Sequence, residues 1–144
     1  MNKPSVRPSE PIRAILFDKD GTLLDFTPTW LPAYRAGALF AAGGDETKAR
    51  LMMLSTGLDE DSDDFIHGSL LASATTDQIA AAWVAHGTEH SAEILTPLLD
   101  DIFAEQTALS SAPFPGLFEL ISDLVKKEMI LGLATNDSER SANA

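Results

Sequence analysis

The chain has 144 residues and a mass of 15.4 kDa, a size that fits one domain or a small core carrying an insertion. Its formal net charge of −12 repels a phosphate backbone, which argues against general nucleic-acid binding; a small phosphorylated ligand would need a cation or focused donors in its site. The absence of cysteine excludes disulfides, thiolate chemistry and cysteine zinc sites, and no window approaches the roughly eighteen apolar residues of a membrane span. A cytoplasmic protein without a signal peptide is expected.

Residues 1–11 contain Pro4, Pro8 and Pro11 and are expected to form a disordered leader. Residues 12–17, apolar from Ala14 onward, lack polar alternation and are too few for a helix, which predicts a strand covered on both faces, as in parallel sheets. Asp18 and Asp20 stand at its carboxyl end, two apart and so on the same side of an extended chain. That is where open α/β sheets bind their ligands. Gly21-Thr22 then marks a tight turn.

From residue 26 the pattern turns helical. A first helix is expected from residue 28 or 29 to about 42, stopped by Gly43-Gly44, and a second from the N-cap Asp45 to about Ser55, ending near Gly57. The acidic run 59–64 lacks the glycine and closing glutamate of a calcium loop and reads as a solvated loop leading into a short helix over 65–73. Thr75 and Gln78 form a capping box for a helix that ends at Gly87, and residues 93–110 give the longest helix, with one apolar stripe. No strand is expected among these helices.

A stiff Pro-Gly segment over 112–116 precedes an amphipathic helix over 117–127, with Lys126 and Lys127 at its C-terminus, and a buried strand over 129–135 that ends in Thr135-Asn136. Strand, helical insertion, helix and strand follow in the order of a parallel sheet with a right-handed crossover. The organisation expected is therefore an α/β fold: a partial Rossmann-like parallel sheet core from residues 12–25 and 113–144, with a helical cap over 26–112.

Asp18-Lys19-Asp20-Gly21-Thr22-Leu23 after an apolar strand resembles the first signature of the haloacid dehalogenase superfamily, most of whose members are magnesium-dependent phosphatases. Leu131-Gly-Leu-Ala-Thr-Asn136 is similar to that superfamily's second motif, a strand ending in Thr or Ser. The residue types suit such chemistry. A carboxylate nucleophile splits the hydrolysis of a phosphate ester into two easier steps, and a carboxyl beside a second, ionised one is suited to carry a proton.

The resemblance implies that Asp18 forms an aspartyl-phosphate and that Asp20 protonates the leaving alkoxide and later activates water. It further implies that Gly21, Thr22, Thr135 and Asn136 contact the phosphoryl group. Mg²⁺ would be held by the Asp18 carboxylate and the Asp20 main-chain carbonyl. An aspartate at position 20 argues against a dehalogenase and against a P-type ion pump. Both motifs and the early helical insertion look most similar to phosphoglycolate phosphatase-like members, so a small phosphorylated metabolite is the expected partner. Alternatives are a phosphosugar mutase of the same superfamily and a non-enzymatic helical interaction module.

Other residues carry less weight. His67, His86 and His90 read as solvent-facing or capping, with Gly87 breaking the alignment of the last two. Arg35, Lys48 and Arg50 read as surface charges, and Trp30 and Trp83 as helix-bundle core. The superfamily also uses a later lysine and later metal-binding aspartates, whereas no Lys follows Lys127 and no Asp follows Asp137. The chain is thus expected to be the N-terminal part of a phosphatase with little or no activity alone. Its first strand would have an open edge through which self-association is expected.

Overall fold

A computed structural model describes residues 11–143; of the expected leader, residues 1–11, all but Pro11 lies outside the described residues. Strand β1 (Ala14–Asp18) is followed by α1 (Phe26–Ala41), α2 (Glu46–Thr56), the short strands β2 (Leu58–Asp59) and β3 (Asp64–Phe65), then α3 (Leu70–Ser73) and α4 (Thr76–Val84). The chain continues through α5 (Ala92–Ser110), α6 (Leu117–Lys126), β4 (Ile130–Ala134) and α7 (Glu139–Ala142).

Strands β1 and β4 pair in parallel from Ala14 beside Ile130 to Asp18 beside Ala134, as the order of elements requires. The register places the chain after Asp18 next to the chain after Ala134, so both carboxyl-end loops open on the same side. The architecture is α/β, with a two-stranded parallel sheet of the Rossmann-like kind and the helices α1–α6 between its strands.

The helical segment holds the hydrophobic core. Trp83, Met52, Leu71, Leu95 and Leu99 are fully buried, and α1 packs along α5 with Gly37 admitting the Phe103 ring. A Cβ at Gly37 would lie 2.6 Å from Phe103 Cε1, closer than packing tolerates. Phe103 meets Tyr34, Trp30 and Trp83 edge-on, with ring centroids 5.2, 5.9 and 6.4 Å apart. Phe103→Ala is therefore expected to cost about 3–5 kcal/mol, read as a lowered urea midpoint.

Capping explains several boundaries. The Asp45 side chain accepts the Lys48 N–H at 3.0 Å, and the Thr75–Gln78 capping box starts α4. Helix α1 begins at Phe26 rather than at 28 or 29, because Pro28 falls in the first turn, where an N–H has no partner within the helix.

Three expectations are corrected. First, strands do occur within the helical segment. The acidic run forms the turn of a hairpin in which Leu58 pairs with Phe65 and Asp59 with Asp64, so the short helix over 65–73 shrinks to α3. Second, β1 is not covered on both faces: Leu16 is 70 % exposed, and β4 is its sole strand neighbour among the described residues. Third, Ile130 on β4 and Phe118 and Val125 on α6 are also largely exposed, so the sheet and α6 present apolar surface that the described residues do not bury.

Among the described residues no helix is long and apolar enough to cross a membrane. Trp83 lies in the core as expected, and its indole N–H donates to Thr56 Oγ1 at 3.1 Å. Arg35 pairs with Asp63, Arg50 with Glu60, and Lys48 donates to the Gly87 carbonyl, all at the surface. The three histidines line no common site with them, and no cluster of three metal-ligating side chains occurs among the described residues.

Candidate functional site

The site forms where β1 and β4 stop. After Asp20 the chain folds back sharply: the Leu23 and Leu24 N–H groups donate to the Lys19 carbonyl at 2.8 and 3.1 Å, and Gly21 N–H donates to the Leu24 carbonyl at 2.7 Å. Gly21 holds φ +78°, a left-handed conformation that a side chain disfavours. This turn lifts the Asp20 side chain to the same side as Asp18.

Both carboxylates line a pocket of about 370 Å³ whose other core wall is Thr135, Asn136 and Asp137 of the loop after β4. Helix α1 supplies Phe26, Trp30 and Tyr34 to the opposite wall, and α3 with Ala74 closes the side. Four residues read from the sequence thus meet in one cavity: Asp18, Asp20, Thr135 and Asn136. Gly21 and Thr22 are exposed and do not line the pocket, and the Thr22 hydroxyl donates to Asp18 Oδ2 at 3.2 Å. Asp18 is exposed at the pocket, whereas the Asp20 side chain is only 15 % exposed.

Asp20 Oδ1 accepts the Trp30 indole N–H at 2.8 Å and forms an ion pair with the Lys19 ammonium at 3.2 Å. Lys19 Nζ also lies 2.6 Å from Asp137 Oδ2, and both of those side chains are 9 % exposed. Burial pushes the Asp137 carboxyl above its usual range, Lys19 pulls it back down, and the nearby Asp20 charge adds to the upward push. Burial is also the main reason that the Tyr34 phenol is held far above its ordinary value, helped by Asp137 and Asp20, so it stays a neutral donor. The Asn136 side-chain amide donates to the Ser73 carbonyl at 3.2 Å, tying the loop after β4 to the end of α3. Thr135 Oγ1 accepts the Asp137 N–H at 3.2 Å, which orients its hydroxyl oxygen within the loop.

Sequence reading missed Lys19, Trp30, Tyr34 and Asp137 as parts of this site. Strand alternation was the available signal for Lys19, since a residue between two pocket-facing acids must project to the other side. For Trp30 and Tyr34 the helical spacing of four placed both on one face of α1, but nothing in the spacing told that the face borders a pocket as well as a core.

The chemistry open to this arrangement is that of an anionic pocket. Among its lining residues are three aspartates and no Lys, Arg or His, so a negatively charged ligand enters only with a cation beside it.

Comparison with curated proteins finds N-acetylmuramic acid 6-phosphate phosphatases of two bacteria. The one from Pseudomonas putida is 28 % identical over 131 residues, covering 91 % of this chain and 52 % of the relative. The one from Pseudomonas aeruginosa is 30 % identical over 135 residues, covering 91 % of this chain and 51 % of the relative. The chain therefore spans about half the length of the curated relatives it matches. Comparison with solved structures finds no match. The family description "haloacid dehalogenase-like hydrolase" matches residues 12–144, nearly the whole chain, and on that match the protein belongs to the haloacid dehalogenase-like hydrolases.

Proposed function

We propose that this chain carries the nucleophile half of a magnesium-dependent phosphomonoester hydrolase. The observation that supports this most is the convergence of Asp18 and Asp20 with Thr135 and Asn136 on one pocket at the carboxyl ends of two parallel strands. A carboxylate oxygen of Asp18 attacks phosphorus while the bond to the ester oxygen breaks, and Asp20 gives that oxygen its proton. In the second step Asp20 takes a proton from water, the water oxygen attacks phosphorus, and the bond to Asp18 breaks to release phosphate. The Thr135 hydroxyl and the Asn136 N–H would donate to phosphoryl oxygens as their charge grows.

The donor set suits Mg²⁺, which keeps several waters and takes one or two carboxylates and oxygen donors from the protein. The Asp18 carboxylate and the Asp20 main-chain carbonyl would hold it, and when bound it neutralises phosphate charge that the three aspartates otherwise repel. Because no cationic side chain lines the pocket and Lys19 is engaged behind it, the chain alone is expected to turn over well below the typical enzyme rate of about 10 s⁻¹.

For the substrate, we infer a hexose 6-phosphate, with the amino sugar named for the Pseudomonas relatives as first choice. The pocket volume suits a sugar, and the half-buried ring of Phe26 at its wall can cover the apolar C–H face of the sugar. Phosphoglycolate, suggested by the group to which the motifs look most similar, is the poorer candidate, since so short an acid cannot move its carboxylate away from the aspartates. The test is the Mg²⁺-dependent kcat/KM of the full chain on N-acetylmuramic acid 6-phosphate, N-acetylglucosamine 6-phosphate and 2-phosphoglycolate. Sugar phosphates are expected to exceed phosphoglycolate by about tenfold or more, the scale of 1–3 kcal/mol of added pocket contact. The reverse order would overturn the substrate assignment.

A further inference from the structure

The two carboxylates that flank Lys19 in space belong to different loops. Asp20 follows β1 and Asp137 follows β4, and a single buried ammonium lies 3.2 Å from the first and 2.6 Å from the second. The same Nζ sits 5.3 Å from the centroid of the Trp30 ring, whose N–H donates to the Asp20 oxygen that Lys19 also contacts. Lys19 itself does not line the pocket; it lies against a separate small cavity behind it, beside Leu24, Thr29 and Ser141. It therefore touches no ligand in the pocket, and any effect it has on chemistry passes through its neighbours.

We propose that Lys19 is a positioning residue that, with Trp30, fixes the Asp20 carboxylate by Oδ1 and locks the loop after β4 to the loop after β1. The Trp30 hydrogen bond and the Lys19 ion pair converge on Oδ1, and among the described residues Oδ2 has no hydrogen-bonded partner, so Oδ2 is the oxygen turned to the reacting group. Without the ammonium, Asp20 loses the cation that holds Oδ1 and turns toward the water of the pocket, off the Trp30 N–H; where the Asp137 charge remains, its repulsion adds to this. The proposal rests on reading Asp20 as the acid and base of the reaction.

Its test has two readouts, both on the full chain. The first needs no turnover. The indole N–H signals of Trp30 and Trp83 are compared by ¹H–¹⁵N correlation NMR in wild type, Lys19→Met and the double variant Lys19→Met with Asp137→Asn. The double variant leaves no unpaired charge at position 137, which removes the cause for which the single variant would unfold. The Trp30 signal is expected to move upfield in either variant as its bond to Asp20 is lost, while Trp83, bonded to Thr56 inside the helices, stays in place. A Trp30 signal unmoved in a folded variant would overturn the proposal. Loss of the Trp83 signal's folded position in both variants would also overturn it, by making Lys19 a requirement for folding.

The second readout separates positioning from a general loss of stability. kcat/KM reports bond cleavage through leaving-group departure, and p-nitrophenolate departs with little help from an acid. Lys19→Met is expected to lower kcat/KM on a hexose 6-phosphate about tenfold more than on p-nitrophenyl phosphate. Equal losses on both would count against positioning. If wild type cleaves neither ester, the indole comparison alone decides whether Lys19 holds Asp20.

Discussion

Asp18→Asn is expected to lower Mg²⁺-dependent phosphate release by about 10³-fold or more, to the level of the protein-free control. The amide has the shape of the carboxylate and can still accept the Thr22 hydroxyl, which lies 3.2 Å from Asp18 Oδ2. The substitution removes the ionised oxygen that attacks phosphorus and half of the donor set for Mg²⁺. Asp18 is exposed and belongs to no buried ion pair, so the folding stability should change by no more than about 0.5 kcal/mol. Activity lost at unchanged stability is the signature of a reacting group. Phosphate release that persists in Asp18→Asn would mean that another residue, or a contaminant, does the work.

Asp20→Asn should separate the two halves of the reaction. The amide oxygen can still accept from Trp30 and Lys19, but it has no proton to give to an alkoxide and cannot take one from water. On a hexose 6-phosphate, whose alkoxide is a poor leaving group, kcat/KM is expected to fall by about 10²–10⁴-fold. On p-nitrophenyl phosphate the first step proceeds without that help, while hydrolysis of the aspartyl-phosphate stalls. Stopped-flow absorbance should then show a burst of nitrophenolate stoichiometric with active chains, followed by slow turnover. A linear trace at the wild-type rate would remove Asp20 from the mechanism.

Local rules carried the fold far. The glycine pair at 43–44, the Asp45 cap and the Thr75–Gln78 box each act within a few residues, and each stands where the sequence placed it. The hairpin of β2 and β3 was hidden because two-residue strands leave no periodicity, and Leu58 meets Phe65 across a turn composed almost wholly of acids. The apolar run of β1 was correctly read as a strand and wrongly expected to be covered. Its composition reflects a burial that the described residues do not provide, in a chain that matches only about half of its relatives' length.

In the site, the residues found from sequence are those whose identity is dictated by position on a strand end: Asp18, Asp20, Thr135 and Asn136. Those missed, Lys19, Trp30, Tyr34 and Asp137, act through contacts between segments ten to more than a hundred residues apart. Spacing cannot reveal such contacts. Trp30 was rightly assigned to the core at 4 % exposure, yet its N–H points the other way, to Asp20.

The central claim, that Asp18 accepts the phosphoryl group, is tested most directly by trapping. The chain is mixed with p-nitrophenyl phosphate and Mg²⁺, quenched in acid and reduced with borohydride, which converts an aspartyl-phosphate to homoserine that mass spectrometry can locate. Because a single turnover suffices, slow catalysis does not obscure the result. Homoserine at position 18, absent without Mg²⁺ and in Asp18→Asn and enriched in Asp20→Asn, is the result expected. Nitrophenolate released by the purified chain with aspartate intact at position 18 in every sample would contradict it.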